Sequence, residues 1–236
     1  MPSITVHWLN NSAAQRILWV LEELNLEYNI VRYERQPGTY YAPPELKNVH
    51  PLGKGPVIEI TDGDDTFVMA ESGAIIDFLV ERYGRGELSV LAEAPAKKRA
   101  EYLYWLHFTA GSGTTSSTLA TLFALLPKQS PWYIRPLVSS ICGGVMSAFV
   151  MPRLKDTYDF IDSSLEGTDY ICGDKFNGAD INLVILADVL EVVFLTTSLS
   201  PLNYPNIQRW HSALRERPAY KAAEEKGDQL DFTKMI

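Results

Sequence analysis

The spacing of apolar residues changes once along this chain, near residue 85, and that change limits the fold more than any other feature. Before it, short apolar runs of strand length alternate with helix-period runs, separated by turn residues. Residues 4–9 predict a strand. Asn10, Asn11 and Ser12 then form a cluster of helix N-cap residues, followed by Ile17, Leu21 and Leu24 at helical spacing. Residues 28–33 return to strand. Pro43-Pro44-Glu45-Leu46-Lys47 predicts a short helix with proline in its first turn. Residues 57–60 and 66–69 predict a hairpin across 61–65. Ser72 is placed to cap a helix that buries Ile75, Ile76, Leu79 and Val80 and ends at Gly84.

The order βαβ, helix, ββ, helix is the thioredoxin-like arrangement, a small mixed sheet with helices on its faces, and it assigns residues 1–85 to one α/β domain. After Gly84-Arg85-Gly86 the strand signal disappears. Helical periodicity runs through 95–108, 153–165, 179–195 and 207–214, so residues 92–236 predict an all-α domain. Residues 110–150 are Gly-, Ser- and Thr-rich, then apolar around two prolines, and carry no clear period. Within them, 114–132 is a candidate lid. A chain of 236 residues accommodates this division into two small domains.

Charge and cysteine content exclude several functions. The net charge is −8 with no block of Lys or Arg to offset it, which argues against a nucleic-acid partner. Cys142 and Cys172 form no C-x-x-C pair and have no histidine at ligand spacing, so neither a disulfide framework nor a metal site is expected. A reducing, cytoplasmic setting is the simpler expectation, and the N-terminus lacks a secretory pattern. Of two strongly apolar stretches, 136–152 is too short to cross a bilayer and 181–195 carries Asp188 and Glu191. Both are expected to be buried core helices rather than integral membrane segments. Peripheral membrane association stays compatible with the sequence.

Three segments of the first half carry chemistry. Ser12 lies between the first strand and its helix, where backbone N–H groups and the helix dipole favour an anion. A thiol placed there loses its proton more easily. Ser12 or Asn11 acting only as an N-cap is the plainer alternative. The second segment is His50-Pro51-Leu52-Gly53-Lys54-Gly55-Pro56-Val57, ahead of the third strand. A proline there marks a turn, often with a cis bond, that leaves the backbone of Val57 available to an extended peptide. An ordinary Pro/Gly loop is the alternative. In the third, Glu71-Ser72-Gly73, Ser72 suits a carboxylate at a helix N-terminus and Glu71 suits a nearby ammonium.

Those segments, in that order, resemble the cytosolic glutathione transferases over essentially the whole chain. Trp8-Leu9-Asn10-Asn11-Ser12, followed by Arg16 through Leu24, is similar to the opening of fungal and bacterial members. His50 through Pro56 and Ala70-Glu71-Ser72-Gly73 match two further glutathione-contacting motifs, and Phe176-Asn177-Gly178-Ala179-Asp180 resembles the family's buried capping box. The start at His7-Trp8-Leu9 and the Ala-Pro-Pro-Glu-Leu-Lys run at 42–47 resemble the fungal class related to a yeast glutathione transferase.

The resemblance implies a glutathione transferase fold, with glutathione as co-substrate and no resident cofactor or metal. It implies that Pro56 is a cis-proline, that Val57 pairs with the cysteinyl backbone of glutathione, that Glu71 and Ser72 hold the γ-glutamyl end, and that Lys54 neutralises the glycyl carboxylate. Ser12 matches the serine that hydrogen-bonds the thiolate, with Asn11 as the neighbouring candidate. The second substrate, a hydrophobic electrophile or a peroxide, is expected along the first helix of the second domain at Trp105, Phe108 and Thr109. Aromatic residues at that spacing also suit a core or a subunit contact. The family implies a homodimer. Two alternatives use the same motifs: a biosynthetic enzyme adding glutathione to one intermediate, and a non-catalytic glutathione-binding regulator.

Overall fold

The computed structural model describes residues 2–37, 41–90, 94–197 and 199–227. Its first half is a four-stranded sheet of order β2-β1-β3-β4, built from β1 (Ser3–Leu9), β2 (Asn29–Tyr33), β3 (Val57–Asp62) and β4 (Asp65–Ala70). β1 and β2 run parallel, and β3 is antiparallel to both of its neighbours. Alternation in β1 sends Ile4, Val6 and Trp8 into the core. The hairpin is tighter than the sequence predicts: Asp62 pairs with Asp65, leaving Gly63 and Asp64 as the turn.

Helix α1 (Ala14–Glu23) follows β1, a single-turn 3-10 helix at Pro44–Asn48 precedes β3, and α2 (Ser72–Tyr83) follows β4. Residues 14–21 of α1 are all buried, because the sheet covers one side and the second half of the chain covers the other. Two expected caps are shifted. Ala13 occupies the N-cap of α1 and Glu71 that of α2, with Ser72 as the first helical residue.

The second half is helical. Helix α3 (Ala96–Phe108) passes through a π-helical turn (Thr109–Gly113) into α4 (Thr114–Gln129). Helix α5 (Arg135–Val145) passes through a second π turn (Met146–Val150) into α6 (Met151–Ser164). Then come α7 (Gly178–Thr196), α8 (Pro205–Arg215) and α9 (Pro218–Lys226). Residues 110–150, without a clear period in the sequence, are therefore mostly helix, and the candidate lid is largely α4. Local propensity disfavours this. The small side chains of Ser116, Ser117 and Ala120 nevertheless let α4 pack closely, and Ser117 Oγ lies 3.4 Å from the Tyr158 hydroxyl of α6.

The expectation that 136–152 is a short buried helix is overturned. One continuous helix spans Arg135–Ser164, 30 residues, long and apolar enough to cross a membrane, and only 17% of its apolar window is buried. Pro136 sits in the first turn, where its missing N–H costs nothing, and Pro152 follows the π turn, where the hydrogen-bond ladder is already interrupted. Leu137, Ile141 and Phe149 stand exposed along it. The other apolar stretch behaves as expected: Ile181, Leu183, Val184, Leu186 and Leu190 of α7 are at most 2% exposed. The Glu191 side chain lies outside the described residues.

A capping box begins α7. Asn177 Oδ1 accepts from the Ala179 N–H at 2.9 Å, and Asp180 Oδ2 accepts from the Asn177 N–H at 3.1 Å. Asp180 Oδ1 also accepts from Ile171 N–H and Trp210 Nε1, both at 2.9 Å. Burial pushes this carboxyl up to about 6, against the pull of those donors. The two halves meet mainly through α1. Trp19 packs edge-on against Tyr220 of α9 at 5.0 Å, and Arg217 clasps Glu23 with two bonds of 2.6 and 2.8 Å.

Candidate functional site

Strand direction gathers the three segments singled out by the sequence. β1 and β4 both end, and β3 begins, at one end of the sheet: Val57 lies opposite His7 on one side and Ala70 on the other. The β1–α1 junction, the proline loop and the β4–α2 junction therefore converge, although residues 12, 56 and 72 are far apart in sequence. The end of β2 arrives at the same place, since Leu9 pairs with Tyr33.

At the β1–α1 junction Asn11 adopts a left-handed backbone, φ 46°, which asparagine tolerates better than most residues. Ser12 is 8% exposed. Its hydroxyl donates to the Leu9 carbonyl at 2.7 Å and accepts from the Ala14 N–H at 3.1 Å. The hydroxyl thus covers the first N–H of α1, which is the plainer role weighed from the sequence. To donate to a sulfur it must turn away from Leu9. Arg35, which the sequence reading did not select, closes the junction from the β2 side: its Nε donates to the Asn10 carbonyl at 3.1 Å and its Nη2 to that of Asn11 at 3.0 Å.

The Gly55–Pro56 bond is cis, Pro56 and Val57 are buried, and Val57 opens β3. Gly55 sits at a close approach: a Cβ there would lie 3.1 Å from Leu9 Cβ and 3.5 Å from Ser12 Oγ. This packing ties the proline loop to the serine. Between the loop and the β2 side lies a cavity of about 610 Å³, lined by Leu9, Arg35, Tyr41, Lys47, Lys54 and Gly55 among others. Three cationic side chains at its wall make it suited to a carboxylate, against the negative charge of the whole chain. Of these the sequence singled out Lys54 alone as a contact. Lys47 was visible only as part of a family-like segment.

At the β4–α2 junction Glu71 is exposed with φ 71° and ψ 109°, an uncommon conformation for a side-chain-bearing residue. Ser72 is half-buried and makes its contacts outside its own helix. Arg16 Nη2 of α1 donates to Ser72 Oγ at 3.2 Å, and Ser72 Oγ donates to Asn182 Oδ1 of α7 at 3.3 Å. Arg16 Nη1 also donates to Asn182 Oδ1 at 2.6 Å and to the Asn182 carbonyl. Asn182 Nδ2 in turn donates to the Leu106 carbonyl of α3 at 2.7 Å. Gly73 makes room for this joint, since a Cβ would come within 3.3 Å of Asn182 Nδ2. Burial lowers the Arg16 guanidinium to about 10, with Asp188 pulling it back up, so it stays charged at neutral pH. Arg16 and Asn182 escaped selection as site residues because their link to Ser72 spans 56 and 110 positions.

The residues expected to face a second substrate separate. Trp105 is 4% and Thr109 is 1% exposed, while Phe108 keeps partial exposure. Trp105 stacks on Phe160 of α6 at 5.2 Å, and Phe108 meets both rings at 5.2 and 5.8 Å. Tyr104 and Phe160 complete this cluster with 50% and 42% of their surface exposed.

Comparison with known proteins agrees with this layout. The family model "Glutathione S-transferase, N-terminal domain" matches residues 12–82, and "Glutathione S-transferase, C-terminal domain" matches residues 147–218. Glutathione S-transferase 1 of Saccharomyces cerevisiae is 30% identical, covering 98% of this chain and 97% of the relative. Glutathione S-transferase 3 of Schizosaccharomyces pombe is 31% identical, with 98% and 90% covered. A glutathione S-transferase of Actinobacillus pleuropneumoniae superposes with TM-score 0.74 at 31% identity, covering 99% and 97% of the two chains. A family member from Pseudomonas fluorescens, solved with two glutathione molecules bound, shares the fold at TM-score 0.72 and 23% identity, with 93% and 91% covered. With full-length matches to fungal transferases and both family domains present in order, the chain belongs to the glutathione S-transferase family.

Proposed function

We infer that this chain binds glutathione across the end of the sheet and activates its thiol for attack on a hydrophobic electrophile. The observation that carries this reading is the convergence of two helix N-termini and the proline loop beside a cavity lined by three cationic side chains. Glutathione offers a matching set of groups. Its γ-glutamyl carboxylate meets Ser72 at the start of α2, its ammonium meets Glu71, its cysteinyl backbone pairs with Val57 beyond Pro56, and its glycyl carboxylate enters the cavity toward Lys54. The sulfur then lies at the start of α1, where Ser12, or its neighbour Asn11, and the helix end favour the thiolate. The thiolate attacks an electrophilic carbon or a peroxide oxygen held along α3, where Phe108 keeps surface to offer while Trp105 and Thr109 are buried. This chemistry calls for no resident metal or redox cofactor.

Calorimetry with glutathione, followed by titration of the bound thiol, tests the reading. Binding at submillimolar concentration with the thiol titrating well below its free value near ~8.5 is expected. A thiol that titrates as in free solution removes the activation and leaves the binding, whereas no binding at millimolar glutathione removes both. A homodimer is the companion reading, supported by the exposed apolar residues Tyr104, Leu137, Ile141, Phe149 and Phe160. Sedimentation at micromolar concentration is expected to return twice the 26.5 kDa of one chain.

A further inference from the structure

Behind Ser72 the interior contains an unfinished polar joint. Gln15 Nε2, Arg16 Nε and Asp188 Oδ2 are buried and have no hydrogen-bond partner in the protein. Gln15 is 4% and Arg16 5% exposed, and the Asp188 side chain is 9% exposed. A buried polar group left unpaired forfeits its hydration with nothing in return, more so if it is charged, so three together require an explanation. All three residues line one cavity of about 10 Å³ at the junction of α1, α7 and α9, together with Trp19, Val184, Tyr220 and Ala223. That is the room one water molecule needs. The chemistry also matches one water: two N–H donors for its lone pairs and one carboxylate oxygen for a hydrogen.

We propose that a single water is bound here and bridges Arg16 to Asp188, and that Asp188 thereby positions the glutathione-binding Ser72. The other edge of Asp188 is already held, since its Oδ1 lies 2.8 Å from His211 Nε2 of α8. Arg16 is held by Asn182 through Nη1 and holds Ser72 through Nη2. The water engages Nε, the guanidinium nitrogen without a partner in the protein, and completes the hold on the guanidinium plane. The chain of contacts runs His211, Asp188, water, Arg16, Ser72, and it brings the helical half of the protein to bear on the γ-glutamyl subsite. Asp188 and Gln15 are positioning residues in this scheme; neither touches glutathione. The assignment of Ser72 rests on the function proposed above.

Two measurements test it. A crystal structure of the whole protein, at a resolution that orders water, is expected to show a peak at about 2.7–3.2 Å from all three atoms. An empty cavity, or direct contact of Arg16 Nε with Asp188 Oδ2, overturns the water site. Steady-state kinetics supply the second. Asp188→Ala is expected to raise KM for glutathione about tenfold while kcat at saturating glutathione stays within about twofold, the size of effect a remote coupling transmits. Asp188→Asn, which keeps an acceptor for the water, is expected to restore KM to within about threefold of wild type. Should Asp188→Ala not fold, Gln15→Met withdraws one donor and is expected to raise KM about threefold. A folded Asp188→Ala or Gln15→Met variant with unchanged KM overturns the positioning role. A wild-type protein that binds no glutathione instead overturns the functional reading, and the crystallographic peak still decides the water site.

Discussion

Two serines stand at two helix starts in this protein, and they are used in opposite ways. Ser12 is buried and satisfies both of its hydroxyl's hydrogen-bonding roles within its own turn, at Leu9 and Ala14. Ser72 is half-buried, caps nothing on its own helix, and is held from α1 by Arg16 and from α7 by Asn182. The first is a local device that sets how the chain enters α1. The second is a joint between the two halves, and its geometry depends on the packing of three helices. Binding of an anion at Ser72 is therefore tied to the integrity of the whole molecule, whereas the Ser12 turn forms from residues within five positions of one another.

Removing the shared support of that joint should have the largest effect. Arg16→Met leaves the Asn182 carbonyl and amide oxygen, Ser72 and Asp188 without their buried guanidinium. A loss of about 3–5 kcal/mol in urea unfolding is expected, with the m-value unchanged. A loss under about 1 kcal/mol would mean that the joint is not held together by Arg16. Next in size is Ser72→Ala, which removes the hydroxyl offered to the γ-glutamyl carboxylate. Calorimetry should show glutathione affinity falling about 10- to 100-fold, the range for a hydrogen bond to a charged group, with stability changed by only about 1 kcal/mol. A large stability loss at unchanged affinity would place Ser72 in the scaffold alone.

What the sequence disclosed follows the same division between local and distant partners. The succession of strands and helices in the first half and the α7 capping box were legible because each depends on residues a few positions apart, as Asn177 and Asp180 show. The cis-proline turn was legible as a local motif as well. Arg16, Asn182 and Arg35 were not, because nothing near them in sequence announces a partner in another element. The long helices through 109–150 were hidden for a different reason. Gly, Ser, Thr and Pro lower helix propensity there, but small side chains such as Ser116, Ser117 and Ala120 admit close packing. Tertiary contact outweighed propensity.

Ser12→Ala separates the local role from the catalytic one. Loss of the two turn bonds is expected to cost about 1 kcal/mol in thermal or urea unfolding. If the hydroxyl also turns to the sulfur, the bound thiol should titrate about one unit higher and kcat/KM should fall about tenfold. Stability loss with a wild-type thiol titration would transfer the sulfur contact to Asn11. Asn11→Ala then carries its own backbone penalty of about 1–2 kcal/mol from the left-handed conformation, so its activity must be compared at equal folded fraction.

The smallest effect should appear beside Ser72, and its sign is the informative part. Glu71 holds φ 71° and ψ 109°, a conformation that costs a side-chain-bearing residue about 1–3 kcal/mol and glycine far less. Glycine loses more chain entropy on folding, which returns up to about 1 kcal/mol of that difference. Glu71→Gly is therefore expected to raise stability by about 0.5–1 kcal/mol while weakening glutathione binding about fivefold through loss of the carboxylate near its ammonium. Opposite signs in unfolding and calorimetry would mean that the strain at the α2 start is maintained for the ligand. Lower stability together with wild-type affinity would make the unusual backbone a structural requirement of the β4–α2 turn, and would leave Ser72 as the side chain at that helix start on which glutathione depends.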